Sequence, residues 1–285
     1  LGYTMAMLCL LMDIGRPDRF WHAVAFWNIH SPLWEVTMCV GLYFSVLMME
    51  VLPIIGHWHP VEHNFPRLST RMTGLHRFTP VLALIDYGSG NLRSVHKALL
   101  AVGAEVRVVT RGEELRDARG VVLPGVGAFD DCMNALRRQE LLGAALEFIR
   151  SGRPFLGICV GYQALFDRSE EFQSCARGLQ WFHGPVVRFP SSLKVPQIGW
   201  NRLQIARPDC PLYQGVQDGS YAYFVHSFHP RPEDASIVAT WTTYGQPFAS
   251  SVWRDNVFAT QFHPEKSQAV GLAILRNFVR LAPTS

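Results

Sequence analysis

Residues 154–166 read PFLGICVGYQALF. Residues 154–158 form a short apolar run, as expected for a strand covered on both faces. Residues 160–166 predict a helix. At the junction stands Gly157-Ile158-Cys159-Val160-Gly161, a G-x-C-x-G sequence. This is the thiol version of the nucleophile elbow, in which glycines permit a sharp turn and close packing. Cys159 is expected to stand above a sheet at a helix N-terminus, where the dipole and free amides favour a thiolate. The competing reading, a structural cysteine in an ordinary turn, is disfavoured by glycines on both sides.

Outward from this junction the chain alternates strand and helix signals. Val81–Asp86 (VLALID) is another continuous apolar run, and Asn91–Val102 has helical periodicity that ends before Gly103. Residues 105–109 (EVRVV) and 120–124 (GVVLP) read as a second and third strand, and 131–150 reads as helix with a break at Gly143. This βαβα order predicts a doubly wound, mostly parallel α/β sheet. From Gly184 onward the signals become shorter strands: residues 185–189, 221–225, 236–241, 249–253 and 257–262. Residues 271–281 close the chain with an amphipathic helix. Sites in such sheets form beyond the C-terminal ends of the strands.

A thiolate in acyl transfer needs a proton carrier. Residues 257–262 (VFATQF) run directly into His263-Pro264-Glu265. A histidine at a strand end, followed two residues later by a carboxylate, suits a Cys–His–Glu triad. His263 would move the proton, and Glu265 would hold its tautomer and orientation. His96, His183 and His229 have no comparable neighbour in the sequence. An oxyanion hole is also required, and Pro124-Gly125-Val126-Gly127 follows the third strand. Glycines there let the amides near Val126 and Gly127 turn toward developing charge, with the Val160 N–H as second donor. Taken alone, that tetrapeptide reads as a plain turn.

The segments IDYGSGN (85–91), LPGVGAF (123–129), GICVGYQ (157–163), PQIGWN (196–201), YFVHSF (223–228) and QFHPEKS (261–267) occur in that order. Together they resemble the class I, triad-type glutamine amidotransferases. Within that class, IDYGSGN, PGVGAF, IGWN and YFVHSF are similar to the glutaminase subunits of imidazole glycerol phosphate synthase. The resemblance runs from about Val81 to Arg280 and implies a flavodoxin-like sheet. It also implies that Cys159 attacks the side-chain amide of glutamine, with His263 as base and acid and Glu265 orienting it. Gln163 and the backbone near Gly127 would hold the substrate amide, and the main chain of His226, Ser227 and Phe228 would meet its backbone groups. Trp200, Asn201, Tyr223 and Lys266 would lie toward a barrel-type cyclase subunit, forming a heterodimer. Ammonia would pass to that subunit and react with a phosphoribulosyl-formimino nucleotide in histidine biosynthesis. The resemblance implies no metal and no organic cofactor, and a cytoplasmic setting. Gln197 stands where the family usually has His, and Phe228 where it often has Tyr; neither belongs to the triad.

The 285 residues carry a formal net charge of +3 and six cysteines, none in a C-x-x-C pair. So small a charge without a clustered basic face gives no argument for nucleic acid. The irregular cysteine spacing suits a reduced compartment.

Residues 1–56 differ from the rest: 36–56 form an apolar run close to bilayer-spanning length with one charge, Glu50. The Trp-, Arg- and His-containing stretch before it suits a membrane interface. LLMDIGRPDRFWH and SPLWEVTMCVGLYFSVLMMEVLP resemble fragments of the NrfD-like membrane subunits of polysulfide and nitrite reductases. A buried hairpin of a soluble protein is the alternative. Residues 57–80, rich in Pro and His, read as a linker to the catalytic domain at 81–285. His57, His59, His63 and Glu62 lie there, but short histidine tracts are usually incidental. Met72 is a candidate start of the enzyme, with the upstream segment a remnant. Two functional alternatives follow: another class I amidotransferase, serving chorismate or nucleotide pathways, or a membrane-tethered fusion with a redox-subunit fragment.

Overall fold

The computed structural model describes residues 81–88, 91–173 and 176–282. The chain divides into two compact units, Leu1–Phe78 and Thr79–Ser285. The expectations for residues 1–80 (membrane segment, linker, histidine tract and Met72) lie outside the described residues, as does Cys175.

The first half is β1 (Val81–Ile85), α1 (Leu92–Ala101), β2 (Glu105–Val109), β3 (Gly120–Gly125), α2 (Phe129–Arg138), α3 (Leu141–Arg150), β4 (Phe155–Cys159) and α4 (Val160–Gln163). The second half is β5 (Arg168–Ser169), β6 (Pro185–Arg188), β7 (Gln197–Arg202), β8 (Gln204–Ile205), β9 (Tyr221–His226), β10 (Phe228–Pro230), β11 (Val238–Tyr244), β12 (Gln246–Arg254), β13 (Val257–Thr260) and α5 (Gln268–Leu281). Eight strands form the main sheet in the order β2-β1-β3-β4-β13-β12-β11-β8. The first five run parallel, and β12, β11 and β8 extend the sheet antiparallel. Strands β3 and β4 are buried along their whole length, which is why their sequences are apolar without alternation. The mostly parallel α/β sheet read from the sequence is therefore the architecture found.

Helix α2 shows how the sequence writes such a layer. Phe129, Cys132, Met133 and Leu136 recur at helical spacing and are buried, while Asp130 and Asp131 occupy the first turn and Arg137 and Arg138 the last. The charges complement the helix dipole, and the apolar stripe joins the buried core.

Three local expectations need correction. The helical stretch near 131–150 breaks at Glu140, not at Gly143. Glu140 adopts a left-handed φ of 57° and lets α3 begin on a new axis with Leu141 buried. Gly143 lies inside α3 with nothing within 4 Å of an added Cβ, so it has no need to break the helix. The helix expected over residues 160–166 is a single turn, α4, followed by a backbone turn through Leu165 and Phe166. So short a helix has little macrodipole, so the dipole argument for the Cys159 thiolate loses its basis. Residues 197–202 form a strand without an apolar run in the sequence. With Tyr221–His226 they make a two-stranded antiparallel pair outside the main sheet, an open hairpin whose connection, residues 203–220, carries β8.

Candidate active site

The parallel strands β3, β4 and β13 are adjacent, and their C-terminal ends lie side by side. Gly125 pairs with Cys159, and Thr260 pairs with Ile158. The three segments singled out in the sequence, PGVG, GICVG and QFHPE, thus leave the sheet at one edge.

Cys159 has φ 56° and ψ −108°, a backbone strained for a residue with a side chain. The surrounding glycines make that turn possible. A Cβ on Gly161 would fall 1.9 Å from the Leu123 carbonyl oxygen, and one on Gly157 would fall 2.7 Å from the Gly161 carbonyl oxygen. Close contact with β3 and the packing of α4 over β4 therefore exclude any larger residue at either position.

The His263 Nδ1–H donates to Glu265 Oε1 at 2.8 Å, and both side chains are buried. Burial works against a charged ring. The Cys159 sulfur, through charge and then hydrogen bonding, and next Glu265, outweigh it and hold His263 up at about 10. Nε2 of His263 is buried without a well-aligned hydrogen bond. Its contact with the sulfur is therefore one of close approach, common before substrate is bound. The arrangement favours the imidazolium form of His263.

Three residues complete the site without having been singled out in the sequence. Asn91 Nδ2 donates to Glu265 Oε1 at 2.6 Å, so the same carboxylate oxygen serves His263 and Asn91. The Asn91 side chain makes no capping bond to α1, although Asn91 occupies the cap position with φ 70°. Gln261 is fully buried, and its Nε2 donates to Cys159 Sγ at 3.7 Å. Glu171 receives the Phe129 N–H on Oε2 at 2.8 Å, and its carboxyl is pushed up by burial, then by Asp130 and Asp131.

A cavity of about 310 Å³ opens over these groups. Cys159, Val160 and Gln163 from the elbow line it, with Val126 and Gly127 from the loop after β3. Gly127 has φ +89°, a conformation that glycine accepts freely. His226, Ser227 and Phe228 form another wall, with His263, Lys266 and Glu171 completing the polar lining. All the residues expected from the sequence to form the triad, oxyanion hole and substrate contacts, except the buried Glu265 behind His263, thus meet at one cavity. Gln163 Nε2 donates to the Phe228 carbonyl at 3.0 Å, and the His226 ring meets the same oxygen through Nδ1 at 2.8 Å. Burial holds His226 down to about 3, so its ring is neutral.

The four residues expected at a partner interface lie on the β7–β9 hairpin and the turn beside it. Trp200 and Tyr223 face each other in register, their rings 5.9 Å apart edge to face, and the Lys266 ammonium stands 5.9 Å from the Tyr223 ring. Trp200 is exposed, as are Ile198 and Tyr221 on the same hairpin. Asn201 holds the hairpin to β11 through the Thr243 carbonyl at 2.9 Å.

The other described cysteines offer no rival nucleophile. Cys132 and Cys210 are buried free thiols, each pushed up to about 12 by burial. Among the described residues no group of three or more His, Cys, Asp or Glu side chains could hold a metal ion. No helix among them is long and apolar enough to cross a membrane.

The family profile "Glutamine amidotransferase class-I" matches residues 83–282. The imidazole glycerol phosphate synthase subunit HisH of Syntrophotalea carbinolica is 52% identical over 205 residues, 70% of this chain and 98% of the relative. The HisH subunit of Geobacter sulfurreducens is 50% identical over 204 residues, 69% of this chain and 97% of the relative. In fold, the chain resembles the structure of PurLQS from Thermotoga maritima, with a TM-score of 0.57 at 20% identity, covering 71% of this chain and 98% of that one. With motifs, fold and relatives in agreement, the chain belongs to the class-I glutamine amidotransferases, among the HisH subunits of imidazole glycerol phosphate synthase.

Proposed function

We propose that residues 81–285 carry out glutamine hydrolysis as the glutaminase subunit of imidazole glycerol phosphate synthase. The observation that carries this reading is the convergence of Cys159, on a strained elbow, and the His263–Glu265 pair beside one cavity. The cavity volume suits a small amino-acid substrate. The Cys159 thiolate attacks the side-chain carbonyl carbon of glutamine. The tetrahedral oxyanion is held by the Val160 N–H and by amides of the Val126–Gly127 loop. His263 gives its proton to the amide nitrogen, the C–N bond breaks, and ammonia leaves behind a thioester. His263 then takes a proton from water, whose oxygen attacks the thioester. The C–S bond breaks, glutamate departs and the thiolate returns. Glu171 is the carboxylate placed to receive the α-ammonium of glutamine, and its helix-capping bond through Oε2 fixes its position.

Ammonia released here is delivered to a cyclase subunit. Trp200, Tyr223 and Lys266, with Asn201 bracing the hairpin, present an aromatic and cationic face suited to such a partner. Delivery to a barrel-type cyclase, in the cytoplasm, is the reading we favour over a chorismate or nucleotide pathway, because the relatives at about half identity are HisH subunits. Cys159→Ala tests the chemistry: glutamine hydrolysis should vanish while a cyclase subunit still binds. Turnover retained in that variant overturns the triad. Trp200→Ala should weaken the complex; unchanged affinity would remove the hairpin from the interface.

A further inference from the structure

We propose that Gln261 is a catalytic residue: its side-chain amide donates to the Cys159 sulfur and holds it as the thiolate, while Gln163 fixes which end of that amide faces the sulfur. This rests on the triad reading above.

A buried thiolate needs donors, and α4 is one turn long, too short to supply them through its dipole. Besides the closely approaching His263 ring, the hydrogen-bond donor to Sγ among the described residues is Gln261 Nε2, at 3.7 Å, a normal separation for the large sulfur atom. Gln261 is 0% exposed, so water does not compete for that bond, and an amide bond to an anion gains strength in so dry a place. An amide can turn over, presenting oxygen instead of nitrogen, and the surrounding bonds decide which end faces where. Here they leave one solution. Gln163 Nε2 gives one hydrogen to the Phe228 carbonyl at 3.0 Å and the other to Gln261 Oε1 at 3.3 Å. Turning Gln261 over would set two NH2 groups against each other and point a carbonyl oxygen at the anionic sulfur. Gln163 is fixed in turn because the Phe228 carbonyl can only accept. A chain of three bonds therefore runs from the substrate-facing loop at Phe228, through two buried amides, to the reacting sulfur.

The test reads the thiolate directly, by the pH dependence of Cys159 alkylation with iodoacetamide, located by peptide mass spectrometry on the full chain. A hydrogen bond to a charged acceptor is worth roughly ten-fold or more in equilibrium, so Gln261→Met should move the alkylation midpoint up by about one pH unit. Gln261→Asn keeps a polar amide in place but draws its nitrogen back by one methylene. It should shift the midpoint the same way, and it decides the matter if Gln261→Met does not fold. Gln163→Met, which frees the Gln261 amide to turn, should give a smaller shift of the same sign. A merely structural role would lower the melting temperature and leave the midpoint in place. An unmoved midpoint in a folded Gln261 variant overturns the proposal. If Cys159→Ala retains glutamine hydrolysis, the triad reading itself fails, whatever the alkylation midpoints show.

Discussion

Asn91→Gly should cripple glutamine hydrolysis in a chain that still folds, at some cost in stability. Asn91 lies 174 residues from Glu265 in sequence, yet its Nδ2 donates to Glu265 Oε1 at 2.6 Å. That oxygen also receives the His263 Nδ1–H, and the Glu265 side chain is fully buried. Losing one hydrogen bond to a buried charged group costs about 1.5–3 kcal/mol. If that loss falls on the orientation of Glu265 and His263 in the transition state, it corresponds to roughly a 10- to 150-fold fall in kcat/KM.

The substitution is clean for two structural reasons. The side chain makes no capping bond to α1, so helix stability does not depend on it. The backbone at φ 70° suits glycine at least as well as asparagine. Asn91→Ala should give the same kinetic loss with a further stability cost of about 1 kcal/mol from the left-handed backbone. Asn91→Asp should be worse, because it sets a second carboxylate against Glu265 in a dry site. The assay is steady-state glutamine hydrolysis in the presence of a cyclase subunit, with thermal melts run in parallel. A folded Asn91→Gly variant within about two-fold of the unchanged chain would refute the reasoning, since the bond would then carry no transition-state energy.

Gly161→Ala should fail to form the elbow, because its Cβ would sit 1.9 Å from the Leu123 carbonyl oxygen; Gly143→Ala, in open space within α3, should gain up to about 1 kcal/mol, and denaturant midpoints compare the two. Phe248→Ala should cost about 3–5 kcal/mol by the same measurement, since that ring packs 5.3 Å from Phe189, His226 and His229. His263 is held at about 10 against an ordinary 6.5, so the stability it contributes is complete below pH 6.5 and lost as pH rises through about 10. Melting curves of Cys159→Ala should lose most of that alkaline dependence. His226 is held down to about 3, so the unfolded ring binds a proton below pH 6.5 while the folded ring does not. Stability should therefore fall between pH 6.5 and 3, by at most about 1.4 kcal/mol per pH unit, and His226→Phe should flatten the acid limb of a melting-temperature profile.

The grouping of Cys159, His263 and Glu265 was legible in the sequence because each half of it is local. G-x-C-x-G records the close approach of Gly161 to the Leu123 carbonyl, and H-P-E records a bond between residues two apart. The parallel strands were legible because burial on both faces removes alternation, as in β3. What escaped is non-local. Gln261 looks like one more strand residue until Gln163, 98 positions earlier, is seen to fix its amide. Glu171 looks like a surface acid until the Phe129 amide and the cavity draw it inward. The strand at Gln197–Arg202 escaped because Ile198 and Trp200 are exposed, so its alternation points an apolar face outward, away from any core.

Cys159 and His263 are supported in different ways. Cys159 ends a fully buried strand whose neighbours β3 and β13 lie on either side, and Gly161 leaves no room for α4 to move against β3. His263 follows the end of β13, in a buried turn that packs closely on α5, where a Cβ on Gly271 would fall 1.8 Å from the Pro264 carbonyl oxygen, and that is also bonded to β9. Its N–H donates to the Tyr223 carbonyl at 3.0 Å, the Tyr223 N–H donates to Ser267 Oγ at 3.0 Å, and that hydroxyl donates back to the His263 carbonyl at 2.7 Å. A closed ring of three bonds thus ties the base to the strand that carries Tyr223. The His263 turn is therefore held from two sides, by α5 through the Pro264 carbonyl and Gly271 and by the strand that carries Tyr223.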